Sequence, residues 1–143
     1  MAIQTVGFIG LGLIGGSLAK GLRRVCPDMK IIAYNRSRES LVAALDDGVL
    51  NQAQDSIDDN FAACDMIFLC APVSVNIECM KKLKGIIRPD CLLTDVGSVK
   101  TTIHEAVEEL ELAGQFIGGH PMAGSELTSY ANASDRLLEN AYY

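Results

Sequence analysis

Histidine is scarce in this 143-residue chain, which has two, and its five cysteines (Cys26, Cys64, Cys70, Cys79 and Cys91) form no C-x-x-C pair. A site of clustered thiolates and imidazoles has almost no material here, so no metal is expected. Two of the cysteines lie in runs that read as buried strands, and reduced, inert core thiols are the expected state. No apolar run approaches the roughly 18 residues that a membrane span needs. The N-terminus reads directly into a strand without a basic region or cleavage site, so a cytoplasmic protein without membrane association is expected. Basic residues are too few for a nucleic-acid partner: 12 Lys and Arg stand against 18 Asp and Glu, a net charge of −6, scattered singly or in pairs. An anionic small molecule is still admissible where local donors offset that field. Repeats, low-complexity tracts and linkers are also missing.

What is present suits one globular core, with 49% hydrophobic and 21% charged residues. Thr5 to Ile9 reads as a buried strand. Leu13, Ile14, Leu18, Leu22 and Val25 then recur at helical spacing until Pro27 stops the helix. Lys30 to Tyr34 gives a second strand, Ser37 an N-cap, and Leu41 and Leu45 a second helix ending near Gly48. Asn51 to Gln54 reads as a short third strand, followed by a weak helix from about Ile57 to Cys64. The continuously apolar run Met66 to Ala71 reads as a strand covered on both faces and ended by Pro72, with a helix from about Val75 to Lys84 after it. Cys91 to Val96 is a fifth strand, Val99, Ile103, Val107 and Leu110 mark an amphipathic helix immediately beyond it, and Gln115 to Gly118 makes a sixth strand. This alternation predicts an α/β fold of Rossmann type: a doubly wound, mainly parallel sheet in the order 3-2-1-4-5-6, with helices on both faces. Leu137 to Tyr143 reads as a helix end running into a new strand, so residues 1–143 are expected to be one dinucleotide-binding domain of a truncated protein.

In the turn Gly10-Leu11-Gly12-Leu13-Ile14-Gly15, Gly10 permits the tight bend, Gly12 admits a pyrophosphate and Gly15 lets helix and strand pack closely. The helix N-terminus beyond it supplies free N–H donors to phosphates. About twenty residues further on, where an acidic side chain accepts the ribose hydroxyls of NAD, the chain has Asn35-Arg36-Ser37-Arg38. Two guanidinium groups and a hydroxyl suit a 2′-phosphate, so NAD(P)+ is the expected cofactor, with a lean toward NADP. The alternative is an N-capped helix start with solvated arginines. Ala71-Pro72-Val73 and Gly97-Ser98-Val99-Lys100 fall at strand carboxyl ends, where ligands bind in open α/β sheets. Ser98 suits either a helix N-cap or a substrate or nicotinamide contact, and Lys100 taken alone reads as a solvated surface charge. The sixth strand delivers Gly118-Gly119-His120-Pro121-Met122-Ala123-Gly124-Ser125, with one imidazole among small residues. A neutral imidazole there can take a proton from a substrate hydroxyl, although a strand-end histidine taken alone is more often structural. His104, beside Glu105 on a helix, reads as solvated.

With these residues in hand the chain resembles prephenate dehydrogenase, the TyrA-type family of tyrosine biosynthesis. The matching runs are Gly7 to Leu18, Thr94 to Lys100, and His120 to Glu126, and Leu138 to Tyr143 looks like the family's lead-in to its next strand. The resemblance implies oxidative decarboxylation of prephenate to 4-hydroxyphenylpyruvate, with His120 polarising or deprotonating the ring hydroxyl. It implies that Ser98 hydrogen-bonds near the same oxygen and helps place the nicotinamide. It also implies a helical C-terminal domain that forms a homodimer and supplies cationic groups for the substrate carboxylates, to which nothing in these residues corresponds. Asn35 departs from the acid of strictly NAD-dependent members. Arogenate is a second substrate to consider. The competing readings are another Rossmann oxidoreductase, such as a β-hydroxyacid dehydrogenase or pyrroline-carboxylate reductase, and a non-catalytic nucleotide-binding module.

Overall fold

Alternate residues of the apolar runs face opposite sides of one sheet, and helices cover both sides. In the computed structural model, which describes residues 2–143, the strands are β1 (Thr5–Ile9), β2 (Lys30–Tyr34), β3 (Gln52–Gln54), β4 (Met66–Leu69), β5 (Leu92–Asp95) and β6 (Phe116–Ile117). The helices are α1 (Leu13–Val25), α2 (Arg38–Asp46), α3 (Val73–Leu83) and α4 (Thr101–Glu109). The sheet runs β3-β2-β1-β4-β5-β6 with every neighbouring pair parallel, the order expected of a Rossmann-type α/β fold.

Val6 and Phe8 of β1 and Ile31 and Ala33 of β2 pack with Ala19 of α1 and Leu41 of α2. Their strand neighbours Ile9 and Ile32, with Ile67, Leu69 and Leu93, pack instead with Met80 and Leu83 of α3 and Ile103 and Val107 of α4. Two separate clusters from one set of strands are what a period of two produces when both faces are covered. Phe8 and Phe68, paired in register, stack at 5.1 Å between centroids. Each fully buried side chain, such as Phe8, Ile67 or Leu93, contributes about 1.5–3 kcal/mol of transfer free energy. Strand order reverses between β1 and β4, and the crevice at their carboxyl ends is therefore the topological switch point.

Several local expectations are corrected. The weak helix after β3 is a short 3₁₀ turn, Asp59–Ala63, started by the Asp58 carboxylate accepting the Asn60 N–H at 2.9 Å. Helix α3 begins at Val73 rather than Val75, because Pro72, at φ −56°, stands at its N-cap without needing an N–H of its own. Helix α4 begins at Thr101, with Lys100 at the N-cap, so Val99 lies outside the helix and is exposed. Ser98 is therefore not that helix's N-cap. Ser37 does occupy the N-cap of α2, although its side chain makes no capping bond. Residues 137–143 form neither helix nor strand. Turns lead to Asn140 at φ +61°, and the backbone bond made there across to the preceding loop is from the Met122 N–H to the Tyr142 carbonyl at 2.8 Å.

Before reaching those turns the chain crosses back over α1 and α2. Tyr130 is buried there, its hydroxyl donating to Asp47 at 2.8 Å and its ring lying 4.5 Å beneath the Lys20 ammonium. Burial and the Asp47 charge push its phenol above the ordinary tyrosine range. Ser134 N–H donates to the buried Ser17 hydroxyl at 3.0 Å, so the segment that follows the histidine loop is tied to the glycine-turn helix.

All five cysteines are free. Burial pushes the Cys64 thiol up to about 12 and the Cys91 thiol up to about 11, leaving little thiolate near neutrality. Timed iodoacetamide labelling at about pH 7.5, read by mass spectrometry, should modify half-buried Cys26 well before either of them. Rapid alkylation of Cys64 or Cys91 in the folded chain would contradict this core.

Candidate functional site

At the carboxyl end of β1 the backbone turns at Gly10, whose φ of +94° lies in the region that side chains disfavour. A Cβ there would stand 2.7 Å from the Ala71 nitrogen, and one on Gly15 would stand 2.4 Å from the Gly10 carbonyl oxygen. The missing side chains let the first turn of α1 lie directly against the ends of β1 and β4. Gly12 is different, since a Cβ there would meet nothing within 4 Å. It faces open space at the N-cap of α1, where no side chain caps the helix and no acidic residue occupies the first turn. The exposed amide groups of that turn, which includes Leu13 and Ile14, and the positive end of the helix dipole are thus available to an anion.

Beside this turn lies a cleft of about 290 Å³, lined among others by Gly10, Gly12, Tyr34, Asn35, Arg36, Ala71 and Pro72. Asn35 accepts the Leu11 N–H at 2.9 Å and donates to the Ser37 carbonyl at 3.0 Å, so its amide braces the glycine turn against the end of β2. On the opposite wall, buried Asn76 of α3 accepts the Ala71 N–H at 3.1 Å and donates to the carbonyls of Ala71 at 2.8 Å and Leu69 at 3.3 Å. These bonds shape the Cys70-Ala71-Pro72 corner. Burial pushes the neighbouring Cys70 thiol well above its ordinary range. An open glycine face, uncapped helix amides and an apolar wall suit a dinucleotide's pyrophosphate and adenosine.

Not every expected cofactor residue lies in the cleft. Gly15 is buried beneath the turn, Ser37 is exposed at the N-cap of α2, and Arg38 is exposed and paired with Asp55. Arg36 lines the cleft, whereas Arg38 is outside its lining and pairs with Asp55 in the loop after β3. Val73 and Gly97 lie outside it and face each other, with Val73 Cγ2 3.7 Å from where a Gly97 Cβ would be.

The second half of the site is organised around Asp95, which is fully buried at the end of β5. One carboxylate oxygen accepts the Gly119 N–H at 3.2 Å, and the other accepts the Gly97 N–H at 3.2 Å and pairs with Lys100 Nζ at 2.7 Å. The same ammonium donates to the carbonyls of Gly97 and Gly119. Lys100 is therefore not the solvated charge that it resembles when taken alone. Ser98 and His120, each one residue past these glycines, are exposed at the carboxyl ends of β5 and β6. The Tyr143 hydroxyl lies at the same corner, 2.7 Å from Thr94 Oγ1 and donating to the Asp95 carbonyl at 2.8 Å. His104 is exposed, as expected, and meets Phe116 edge-on at 5.6 Å.

The family model described as the nucleotide-binding domain of prephenate dehydrogenase matches residues 18–143. A prephenate dehydrogenase of Bacillus subtilis is 37% identical over 142 residues, which is 98% of this chain. This chain belongs to the prephenate dehydrogenase family. It spans 38% of the length of the B. subtilis relative. Prephenate dehydrogenase from A. aeolicus, solved with hydroxyphenyl propionate and NAD+, superimposes with a TM-score of 0.90 at 36% identity, covering 99% of this chain and 49% of that one. Arogenate dehydrogenase from Synechocystis gives 0.86 at 34% identity, covering 96% and 48%. Among the described residues no helix is long and apolar enough to cross a membrane, and no group of three or more His, Cys, Asp or Glu is placed to hold a metal ion.

Asp95 and Asn76 escaped the sequence reading of this prephenate dehydrogenase-family chain, though both left a signal. Asp95 is a lone carboxylate closing an apolar parallel strand, and Asn76 stands in the buried stripe of α3 with Cys79, Met80 and Leu83. The two functional glycines separate experimentally. Gly15→Ala should cost about 1–3 kcal/mol of stability through overpacking, whereas Gly12→Val should leave the thermal midpoint nearly unchanged and weaken dinucleotide binding at least about tenfold. Thermal melts and fluorescence titration read both effects. Equal destabilisation by the two variants would contradict the geometry described. Asn76→Leu should destabilise the chain by about 2–3 kcal/mol in denaturant titration, because backbone groups at the Ala71 corner lose their partner.

Proposed function

We propose that this chain is the nucleotide-binding part of an NAD(P)+-dependent dehydrogenase that converts prephenate to 4-hydroxyphenylpyruvate. The observation that carries the reading is the attachment of the Ser98 and His120 loops to one buried carboxylate at the strand ends next to the glycine cleft. Membership of the prephenate dehydrogenase family supports it. His120, exposed and held between Gly119 and Pro121, is assigned to accept the proton of the ring hydroxyl, with Ser98 hydrogen-bonding near the same oxygen. When bound, the nicotinamide supplies the hydride acceptor. Loss of the hydride leaves positive charge on the carbinol carbon, and proton transfer to His120 turns that carbon into a carbonyl carbon. The bond to the ring carboxylate then breaks, its electrons entering the ring, carbon dioxide departs, and the resulting aromatic phenolate takes the proton back from His120 to become the phenol. A base at the oxygen matters most in the transition state, where the charge develops.

Gly10, Gly12 and the first turn of α1, with Leu13 and Ile14, are assigned to the pyrophosphate, and Gly15 to the close packing that presents that turn. Asn35, Arg36, Ala71 and Pro72 are assigned to the adenosine side, and Val73, Gly97 and Ser98 to the path toward the nicotinamide. Arg36 is the group assigned to read a 2′-phosphate. Arg36→Ala should therefore raise the KM for NADP+ by about tenfold and move that for NAD+ far less. Equal effects on both cofactors would remove Arg36 from cofactor choice.

The deciding experiment is a nicotinamide-reduction assay with prephenate and with arogenate, on the chain in the longest form its gene encodes. Reduction with prephenate, lowered by about 10²–10⁴-fold in His120→Asn, is the expected result. Reduction with arogenate alone would favour the second reading, which the similarity to the Synechocystis arogenate dehydrogenase supports. Activity with neither substrate would reject both.

A further inference from the structure

Gly97 and Gly119 immediately precede Ser98 and His120, and glycine is the residue whose backbone is least restricted. Left to themselves these positions would let both functional side chains swing. In this chain each glycine is held on both sides. Its N–H is taken by the Asp95 carboxylate, at 3.2 Å in both cases, and its carbonyl by the Lys100 ammonium. The Gly97 carbonyl belongs to the peptide plane that carries the Ser98 nitrogen, and the Gly119 carbonyl to the plane that carries the His120 nitrogen. One ion pair, 2.7 Å long, therefore pins the dihedral angles on which the positions of both side chains depend. A side chain at either glycine would press on the same corner. A Cβ on Gly97 would lie 3.2 Å from the Asp95 carboxylate, and one on Gly119 would fall 2.1 Å from the Tyr143 ring.

The burial is telling. Asp95 is wholly enclosed, and the Lys100 side chain is 30% exposed. A buried ion pair is a poor source of net stability, since desolvating two charges offsets most of their attraction. It is well suited to holding several backbone dipoles at once, because a carboxylate accepts from several directions and an ammonium donates in three.

We propose that Asp95 and Lys100 are positioning residues that fix the relative placement of Ser98 and His120 for the reaction. This rests on the functional reading above, and the test separates the two. Lys100→Met is the main variant, because Lys100 reaches solvent, with Asp95→Asn as the second. Both should lower kcat about 10²-fold, the scale expected when reacting groups are displaced by about an ångström, while the dinucleotide Kd stays within about threefold. On a His120→Asn background Lys100→Met should lower kcat by less than about threefold further, since groups that act as a unit are not additive. Backbone amide relaxation by NMR reads the clamp without substrate. Lys100→Met should lower the order parameters at Ser98 and His120 and leave those of Gly10 to Gly15 unchanged.

Unchanged order parameters, a kcat within about threefold of the parent, or an additive loss on the His120→Asn background would each overturn the proposal. So would global unfolding of Lys100→Met, which would assign the pair to stability. If the parent chain turns over neither prephenate nor arogenate while the NMR response is as expected, the catalytic assignment fails and the clamp survives only as a backbone device.

Discussion

The close approach of α1 to the ends of β1 and β4 is the constraint on which the rest of the molecule depends. It is possible because no side chain stands at Gly10 or Gly15, where a Cβ would lie 2.7 Å from the Ala71 nitrogen and 2.4 Å from the Gly10 oxygen. With the helix seated there, its uncapped first turn lies at the switch point of the sheet, open to a ligand. The Asn35 bond to Leu11 and the Asn76 bonds to the Ala71 corner then fix the shape of each wall of the cleft. Both asparagines do by side chain what a strand ladder cannot do beyond its last residue.

The far half of the crevice is organised by charge instead of by close packing. Strands β5 and β6 end in glycine-containing loops, and the two-residue β6 offers little ladder to hold its loop in place. A carboxylate enclosed at the end of β5 and one ammonium supply the missing backbone partners. The halves thus use different physics for different ends: small residues where a phosphate must come close, and an ion pair where exposed side chains must be aimed. The segment after the histidine loop returns to α1 through Tyr130, Lys20 and Ser17, which links the halves a second time.

Strand order, the parallel sheet and the glycine turn were legible in the residues because each rests on a local or periodic signal. The continuous apolar run of strand length from Met66 to Leu69 marks a strand covered on both faces. The glycine spacing marks the turn. Errors fell where a local signal was weak or overridden. Pro72 reads as a stop for β4 and serves also as the start of α3. Val99 has the spacing of a helical stripe, yet Lys100 is drawn into its ion pair and α4 begins after it. The Ile57 to Cys64 run has too little periodicity for more than one tight turn.

By itself the sequence determined the fold class, the strand order and the family, because alternation of apolar periods, glycine spacing and two ordered motifs are properties of neighbouring residues. Which side chains meet was decided by tertiary structure. Arg36 and Arg38 are indistinguishable in sequence, but only the folded chain carries Arg38 to Asp55 and leaves Arg36 on the cleft. Lys100 looks like any surface lysine until β5, α4 and β6 bring Asp95, Gly97 and Gly119 around its ammonium. The physical reason is the same in both cases: a charge finds its partner through space, across 17 residues for Arg38 and 19 for the bond from Lys100 to Gly119.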